Sequence, residues 1–449
     1  MKKVFFIGIS GIGMSGLAKI MLKKGYEVYG SDISEKDVTS ELVKLGAVIY
    51  KKHIDLNAKK MDLVVYSTAI KKSNPEYIFA KLNGIKLLKR GELLAELFNE
   101  KKGIAVAGTH GKTTTSSMLG VSLFDINPTI IVGGIIPEIG SNSKFGKSEY
   151  MVVEADESDN SFLYLNPEYS IITNIEADHL EKHGTFENIK KSFLKFMEKT
   201  KKEVIVCKDC EVLDELAKQI SERDEEKKII TYSLKDKTAN IYCENIYIKN
   251  GITHYTVIEN GEEIGEFELK IPGEHNILNS LGVIYIARKL KIEKEKLKNK
   301  LKNFKGAKRR FDILYENSVR IIDDYAHHPT EIKATLTAAR EIYKDRIIAI
   351  FQPHRYSRTK FLMDSFEGAF GNADKVILLP IYSAGEKNIY DINENILADK
   401  INNNVKIIRN REEITKTILD DKVKGDTYIF MGAGDIYKLA YEMKEILER

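Results

Sequence analysis

The stretch IAVAGTHGKTTTSSM, residues 104–118, sets a short apolar run against a glycine-rich turn and a helix-compatible segment. A strand, a tight loop and a helix in that order form a phosphate cradle, because the loop and the first helical turn present backbone N–H groups with no partner inside the helix. Gly108 and Gly111 let the backbone turn, and Thr109, His110 and Thr114 complete the loop. Lys112 has the reach to meet β- and γ-phosphates, and the Thr113 hydroxyl is a hard oxygen donor suited to Mg²⁺. The residue five before Gly111 is Val106, so the loop is shorter than the common G-x-x-x-x-G-K-[ST] form. The pattern predicts ATP binding within an α/β domain.

A second glycine-rich turn lies upstream. GISGIGMSGLA, residues 8–18, follows the apolar run Val4-Phe5-Phe6-Ile7. Gly11, Gly13 and Gly16 satisfy G-x-G-x-x-G, and Asp32 closes the next strand where a ribose-binding acid would sit. Counted from the strand end, the glycines are Gly8 and Gly13, and Ser10 stands where a second glycine is expected. The spacing predicts a diphosphate on a helix N-terminus, which either NAD or a UDP-sugar would supply.

Around these loops the chain of 449 residues falls into three α/β segments. Residues 1–101 alternate strand-like runs (KVFFIGI, YEVYGSD, AVIY, LVVYSTAI) with helical patterns, the rhythm of a Rossmann-like parallel sheet. GELLAELFNEKKG reads as a helix with Gly103 as its C′ residue. Residues 102–304 add YMVVEAD, YSIITNIEAD, EVIVC and KIITYS as buried strands of a P-loop-type domain. From Asn240 to Pro272 apolar and polar residues alternate, and Asn250-Gly251 and Asn260-Gly261 predict hairpin turns in a small antiparallel meander. Residues 305–449 supply VRIIDDY, RIIAIFQ, KVILLPIY, VKIIR and TYIFMGA, a second Rossmann-like α/β unit.

Composition narrows the function. Lys and Arg total 70 against 66 Asp and Glu, and the lysine runs are interleaved with glutamate, so the charge argues against nucleic-acid binding. No stretch reaches the roughly 18–20 apolar residues that span a bilayer, which predicts a cytoplasmic protein without membrane attachment. Cys207 and Cys210 form a lone CxxC with no second pair to complete a zinc site, so free thiols are expected.

The remaining chemistry gathers at strand ends. VVEADESDNSF, residues 152–162, offers Glu154, Asp156, Glu157 and Asp159 as oxygen ligands beside the phosphate loop. TNIEADH, 173–179, adds Asn174, Asp178 and His179; GEHNILN, 273–279, places His275, Asn276 and Asn279 at a helix start. RRFD, DDYAHHPTE and FQPHRYSR concentrate arginines and three of the nine histidines between residues 309 and 358, too dense a polar grouping for packing alone.

In this order, together with GSD, STAI, YSAGE and MGAGD, these strings resemble the Mur ligase family over nearly the whole chain. The resemblance implies three domains that bind a UDP substrate, ATP and an amino acid in turn, so the first glycine loop would hold UDP and not NAD. Within the family, GIGMSGLA points to the branch that adds free L-alanine to UDP-N-acetylmuramate and away from the branch that adds a preformed peptide. The implied reaction passes the γ-phosphoryl group of ATP to the lactyl carboxylate and then joins the amine through a tetrahedral intermediate. By matching motif, Lys112, His179, His327 and Arg355 would be catalytic. Thr113, Glu154 and His179 would hold Mg²⁺, and Asn276, Asn279 and Arg310 would contact the nucleotide. Gly11, Gly13, Met14, Ser15, Asp32, His53, Ser67 and Asn174 would contact the UDP substrate, and Tyr325, His327, His354, Arg355 and Arg358 the amino acid. A monomer or weak homodimer is expected.

Overall fold

The structure, a computed structural model, describes residues 2–34, 37–401 and 403–449. Its contacts gather into two compact units, one comprising residues 1–175, 187–242 and 282–300, the other 176–186, 243–281 and 301–449. Among the described residues no helix is long and apolar enough to cross a membrane.

The first unit carries two sheets. Strands β1 (Lys3–Ile7), β2 (Glu27–Ser31), β3 (Val48–Tyr50), β4 (Leu63–Tyr66) and β5 (Lys86–Lys89) form an all-parallel sheet in the order β3-β2-β1-β4-β5. Val4 to Ile7 are wholly buried, as a central parallel strand covered on both faces requires. The order reverses beside β1, and the glycine loop that follows β1 opens into the helix Ile12–Lys23. This is the switch point at which such sheets bind ligands.

The second sheet is built from β6 (Lys102–Ala107), β7 (Thr129–Ile136), β8 (Ser141–Lys144), β9 (Tyr150–Glu154), β10 (Tyr169–Ile172), β11 (Glu203–Cys207) and β12 (Lys228–Ser233). Their order is β12-β11-β10-β6-β9-β7-β8, and only β7 with β8 is antiparallel. The first residues of β13 (Ile241–Lys249) add in parallel beside β12. The cysteines are free thiols, and burial lifts Cys207 to about 12.

The join between the two sheets differs from the sequence reading. The helix Arg90–Asn99 ends before Gly103, which is the second residue of β6 and pairs with Met151. Gly103 is therefore not a helix C′ residue. The buried Phe98 ring lies over it, and a Cβ at position 103 would fall 2.1 Å from Phe98 Cζ.

In the second unit, β13 continues beside β14 (Ile252–Glu259) and β15 (Glu262–Leu269), the expected meander. Both Asn-Gly pairs turn with positive φ at each residue (+53° and +73° at 250–251, +51° and +83° at 260–261), the geometry that matches hairpin twist. Tyr247 of β13 stacks on His254 of β14 at 4.8 Å and donates to Glu266 of β15.

Strands β16 (Asp312–Glu316), β17 (Arg320–Asp324), β18 (Ile347–Phe351), β19 (Lys375–Leu378), β20 (Val405–Ile407) and β21 (Thr427–Met431) form a third sheet, ordered β16-β17-β21-β18-β19-β20. All its pairs are parallel except β16 with β17. Alternate residues of its strands feed two separate cores, Ile322, Phe351 and Met431 on one face and Ile321, Ile350 and Phe430 on the other. The fold is the expected three-part α/β arrangement, with parallel-dominated sheets at either end of the chain and a mixed one between.

Gly103→Ala is expected to lower stability by about 1–3 kcal/mol through overpacking against Phe98. In a Phe98→Leu background the same methyl should cost less than about 1 kcal/mol. Urea denaturation of the four chains measures both.

Candidate functional site

In the first unit the phosphate loop takes its position from strand register. β6 runs between β9 and β10, with Val106 opposite Glu154 and Ala107 opposite Ile172, so the loop, Glu154 and Asn174 leave the sheet together. Gly108 adopts φ +138°, and a Cβ there would fall 2.0 Å from Thr173 Oγ1. The Asn174 side chain fastens the loop from both directions, accepting from His110 N at 2.8 Å and donating to His110 O at 3.1 Å. Gly111, at φ +80°, caps the helix Lys112–Ser122.

Lys112 Nζ lies over the loop, donating to Gly108 O (2.5 Å), Thr109 O (2.9 Å) and Glu157 Oε1 (3.0 Å). Burial would discharge it, but Glu157, Asp156 and Glu154 more than reverse that and raise its pKa, so it remains an ammonium. Thr113 Oγ1 donates to Glu154 Oε1 at 3.0 Å, which brings a hydroxyl and a carboxylate together as hard donors for a divalent cation. Thr109 and Thr114 are buried beside them.

The upstream loop reaches the same neighbourhood through Arg90, which sequence reasoning missed. A Cβ on Gly13 would meet Arg90 Cδ at 3.0 Å, and the Arg90 guanidinium lies 3.5 Å from Asp156. The residues expected at the substrate are also engaged within the protein itself. Met14 and Ser15 are buried; Ser15 Oγ donates to Ile12 O and Ser15 N to Gly11 O at 2.8 Å, so of the two only Met14 offers a ligand its backbone N–H. Asp32 accepts from Ser10 N, Ser34 N and Ser34 Oγ, which binds its carboxylate to the loop itself. Ser10 has its hydroxyl turned inward, 3.0 Å from Thr39 Oγ1. His53 Nδ1 lies 2.8 Å from the buried Glu76 carboxylate, and Ser67 Oγ accepts from Ala69 N.

In the second unit Asp178, just before the short helix Leu180–His183, anchors a cluster. Arg358 donates to both its oxygens (3.2 and 3.4 Å) and lies 3.3 Å from His354 Nδ1. Burial works against it, yet Arg358, His179 and His327 hold the Asp178 carboxyl well below the usual carboxylate range. His179 adopts φ +54° and stands between Asp178 (3.6 Å) and Glu181 (3.5 Å). Burial pushes His327 down to about 4 against the pull of Glu331, and His354 down to about 3 with help from His327 and Arg358. Both are neutral imidazoles at neutral pH.

Glu331, the last residue of DDYAHHPTE, is a site residue that sequence reasoning missed. It accepts from His327 N and His328 N and lies 3.6 Å from Arg310, so it ties two residues of its own motif to an arginine of RRFD. Tyr325 stands beneath the Arg309 and Arg310 guanidiniums at 4.8 and 5.2 Å. Arg355 faces Glu386 at 3.5 Å. Asn276 and Asn279 are buried, and Asn276 Nδ2 donates to Pro272 O at 2.6 Å, fastening the helix start to the chain before it.

Comparison with known proteins places each part of the chain. Residues 3–102 match the model described as Mur ligase family, catalytic domain; 106–287 match the Mur ligase middle domain; and 309–434 match the Mur ligase, glutamate ligase domain. The UDP-N-acetylmuramate–L-alanine ligase of Fusobacterium nucleatum is 57% identical over 100% of this chain and 97% of its own. The ligase of the same name from Aquifex aeolicus is 42% identical over 99% of this chain and 98% of its own. The crystal structure of UDP-N-acetylmuramate–alanine ligase from Thermotoga maritima superposes with a TM-score of 0.84 at 30% identity, covering 100% of this chain and 99% of that one.

One titration in the second unit is open to direct test. Burial lifts the Asp323 carboxyl to about 7, against Arg309 at 3.3 Å and with help from Asp324 and Asp312. A carboxyl raised on folding contributes stability at low pH that is lost as pH rises. Relative to Asp323→Asn, the wild type should lose stability between about pH 3.8 and 7 and run parallel outside that window. Urea midpoints across pH check this.

Proposed function

The chain belongs to the Mur ligase family, and we infer that it is an ATP-dependent amide-bond ligase joining L-alanine to the lactyl carboxylate of UDP-N-acetylmuramate. The products are the UDP-muramoyl alanine, ADP and phosphate, a step of peptidoglycan precursor synthesis. The observation that carries the reading is the partly buried Lys112 ammonium at the start of its helix, beside Thr113 and Glu154, in a chain 57% identical to a ligase of that name.

A carboxylate resists attack by an amine because it carries negative charge and has no leaving group. A carboxylate oxygen attacks the γ-phosphorus, the bond to the β-phosphate oxygen breaks, and ADP departs from an acyl phosphate. Lys112 stabilises the charge on the transferring group, a task of positioning and neutralisation more than covalent chemistry. The alanine amine then adds to the acyl carbon, loses a proton, and the tetrahedral intermediate expels phosphate.

Thr113 and Glu154 fit Mg²⁺, and His179, with Asp178 and Glu181 beside it, fits a second ion. When bound, the cation neutralises phosphate oxygens. Residues 1–101 hold the UDP moiety with Gly11, Gly13, Met14 and Ser15 at the start of the first helix, while Asp32, His53 and Ser67 shape that pocket. Residues 102–304 hold ATP, with Asn276, Asn279 and Arg310 toward the nucleotide and Asn174 toward the substrate. Residues 305–449 receive the amino acid through Tyr325, His327, His354, Arg355 and Arg358. With His327 and His354 neutral, the guanidiniums carry the positive charge offered to the oxyanion. The enzyme works in the cytoplasm as a monomer or weak homodimer.

Phosphate release from ATP should require both UDP-N-acetylmuramate and L-alanine, and fail when a tripeptide replaces the alanine. Lys112→Ala should reduce that release by about a hundred- to a thousandfold, a loss of the order seen for removal of an electrostatic stabiliser. Binding of the sugar nucleotide by calorimetry should stay within twofold. Equal loss of both would overturn the assignment of Lys112.

A further inference from the structure

Glu154 carries the carboxylate at the mouth of the phosphate loop, and its two oxygens are held differently. One accepts from Thr113 Oγ1 at 3.0 Å, and the other accepts from the backbone N–H of Gly133 at 2.6 Å. Gly133 lies in β7, on the strand next to β9, and is open to solvent. A Cβ at Gly133 would fall 2.7 Å from both Glu154 oxygens and 2.9 Å from Cδ. The group in its way is the flexible end of a side chain, so a methyl there displaces the carboxylate and leaves the strand in place.

The Gly133 peptide is itself braced. The ladder between β7 and β8 shifts register between Ile131 and Ile136, which leaves the residues around Gly133 out of regular pairing. The buried Asn142 side chain takes over, donating to Ile12 O at 2.7 Å and reaching Val132 O at 3.5 Å. Ile12 opens the helix of the upstream glycine loop, so the start of one phosphate-binding helix steadies the peptide that aims Glu154 at the other.

We propose that Gly133 is a positioning residue for divalent-cation binding: its N–H orients the Glu154 carboxylate, and its missing side chain leaves room for it. The proposal rests on the ligase reading, in which Thr113 and Glu154 are the cation's ligands. Groups that orient a metal ligand typically contribute ten- to a hundredfold to affinity.

The test is Mn²⁺ binding to the full chain with ADP, followed by electron paramagnetic resonance without turnover. Gly133→Ala should weaken Mn²⁺ binding by about tenfold or more, with the far-UV circular dichroism of the wild type. The Mg²⁺ dependence of ligation should shift by the same factor, with kcat regained at saturating Mg²⁺ and KM for the sugar nucleotide within twofold. Glu154→Asp, one methylene shorter, should weaken Mn²⁺ binding in the wild-type background yet restore it in Gly133→Ala, because the shorter acid retreats from the added methyl. Should Gly133→Ala alone misfold, the double variant still decides by its Mn²⁺ affinity. Wild-type affinity in Gly133→Ala, or no restoration in the double variant, overturns the proposal. Glu154→Gln separates the two levels. If it binds Mn²⁺ as the wild type does, the cation assignment falls and the proposal with it; if it loses the ion while Gly133→Ala keeps it, only the proposal falls.

Discussion

An ammonium drawn largely out of water has to be kept charged, and the first unit is arranged around that requirement. Taking a lysine out of water costs several kcal/mol unless other groups replace its solvation. Lys112 receives two loop carbonyls and Glu157, with Asp156 and Glu154 close enough to favour the cation. These groups arrive because β6 sits between β9 and β10. The strand that ends in the loop has the acids at one side and the Asn174 brace at the other. A phosphate entering here meets a charge already in place, so little reorganisation is left for the moment of transfer.

The second unit meets the same kind of problem with guanidinium. Asp178 and Arg358 satisfy each other, and burial keeps His327 and His354 uncharged beside them. The arginines are thus the positive groups of this cluster, and the histidines contribute shape and hydrogen bonds. Arg309 extends the pattern, lying over Tyr325 and Tyr437 and donating to Gly432 O.

Much of this was legible in the chain because parallel strands announce themselves as unbroken apolar runs ending in polar residues. KVFFI, YMVVE and TYIFM all became strands of the kind expected. The Asn-Gly turns were equally plain, since few dipeptides accept two positive φ angles in succession. What sequence concealed depends on tertiary approach. Gly103 looks like a helix stop until the Phe98 ring is seen above it. The hairpin of β7 and β8 has no clean alternation, because its register slips and Asn142 stands in for ladder bonds. Asp32 reads as a ribose acid by spacing, yet its oxygens are engaged by Ser10 and Ser34. Arg90 gave no signal at all, being one cation on a helix far from any motif.

The contact between Phe98 and Gly103 also bears on how separable the leading segment is. Phe98 is fully buried, its helix is pinned further by Asn99 to Tyr164 O, and Lys19 is buried against Ser141. A fragment cut after residue 101 would leave that ring and that lysine without their cover. Grafting a foreign leading segment onto the remainder would succeed only if the donor brought a matching side chain for the glycine. The three parts of the chain read as modules, but the first two must be exchanged together.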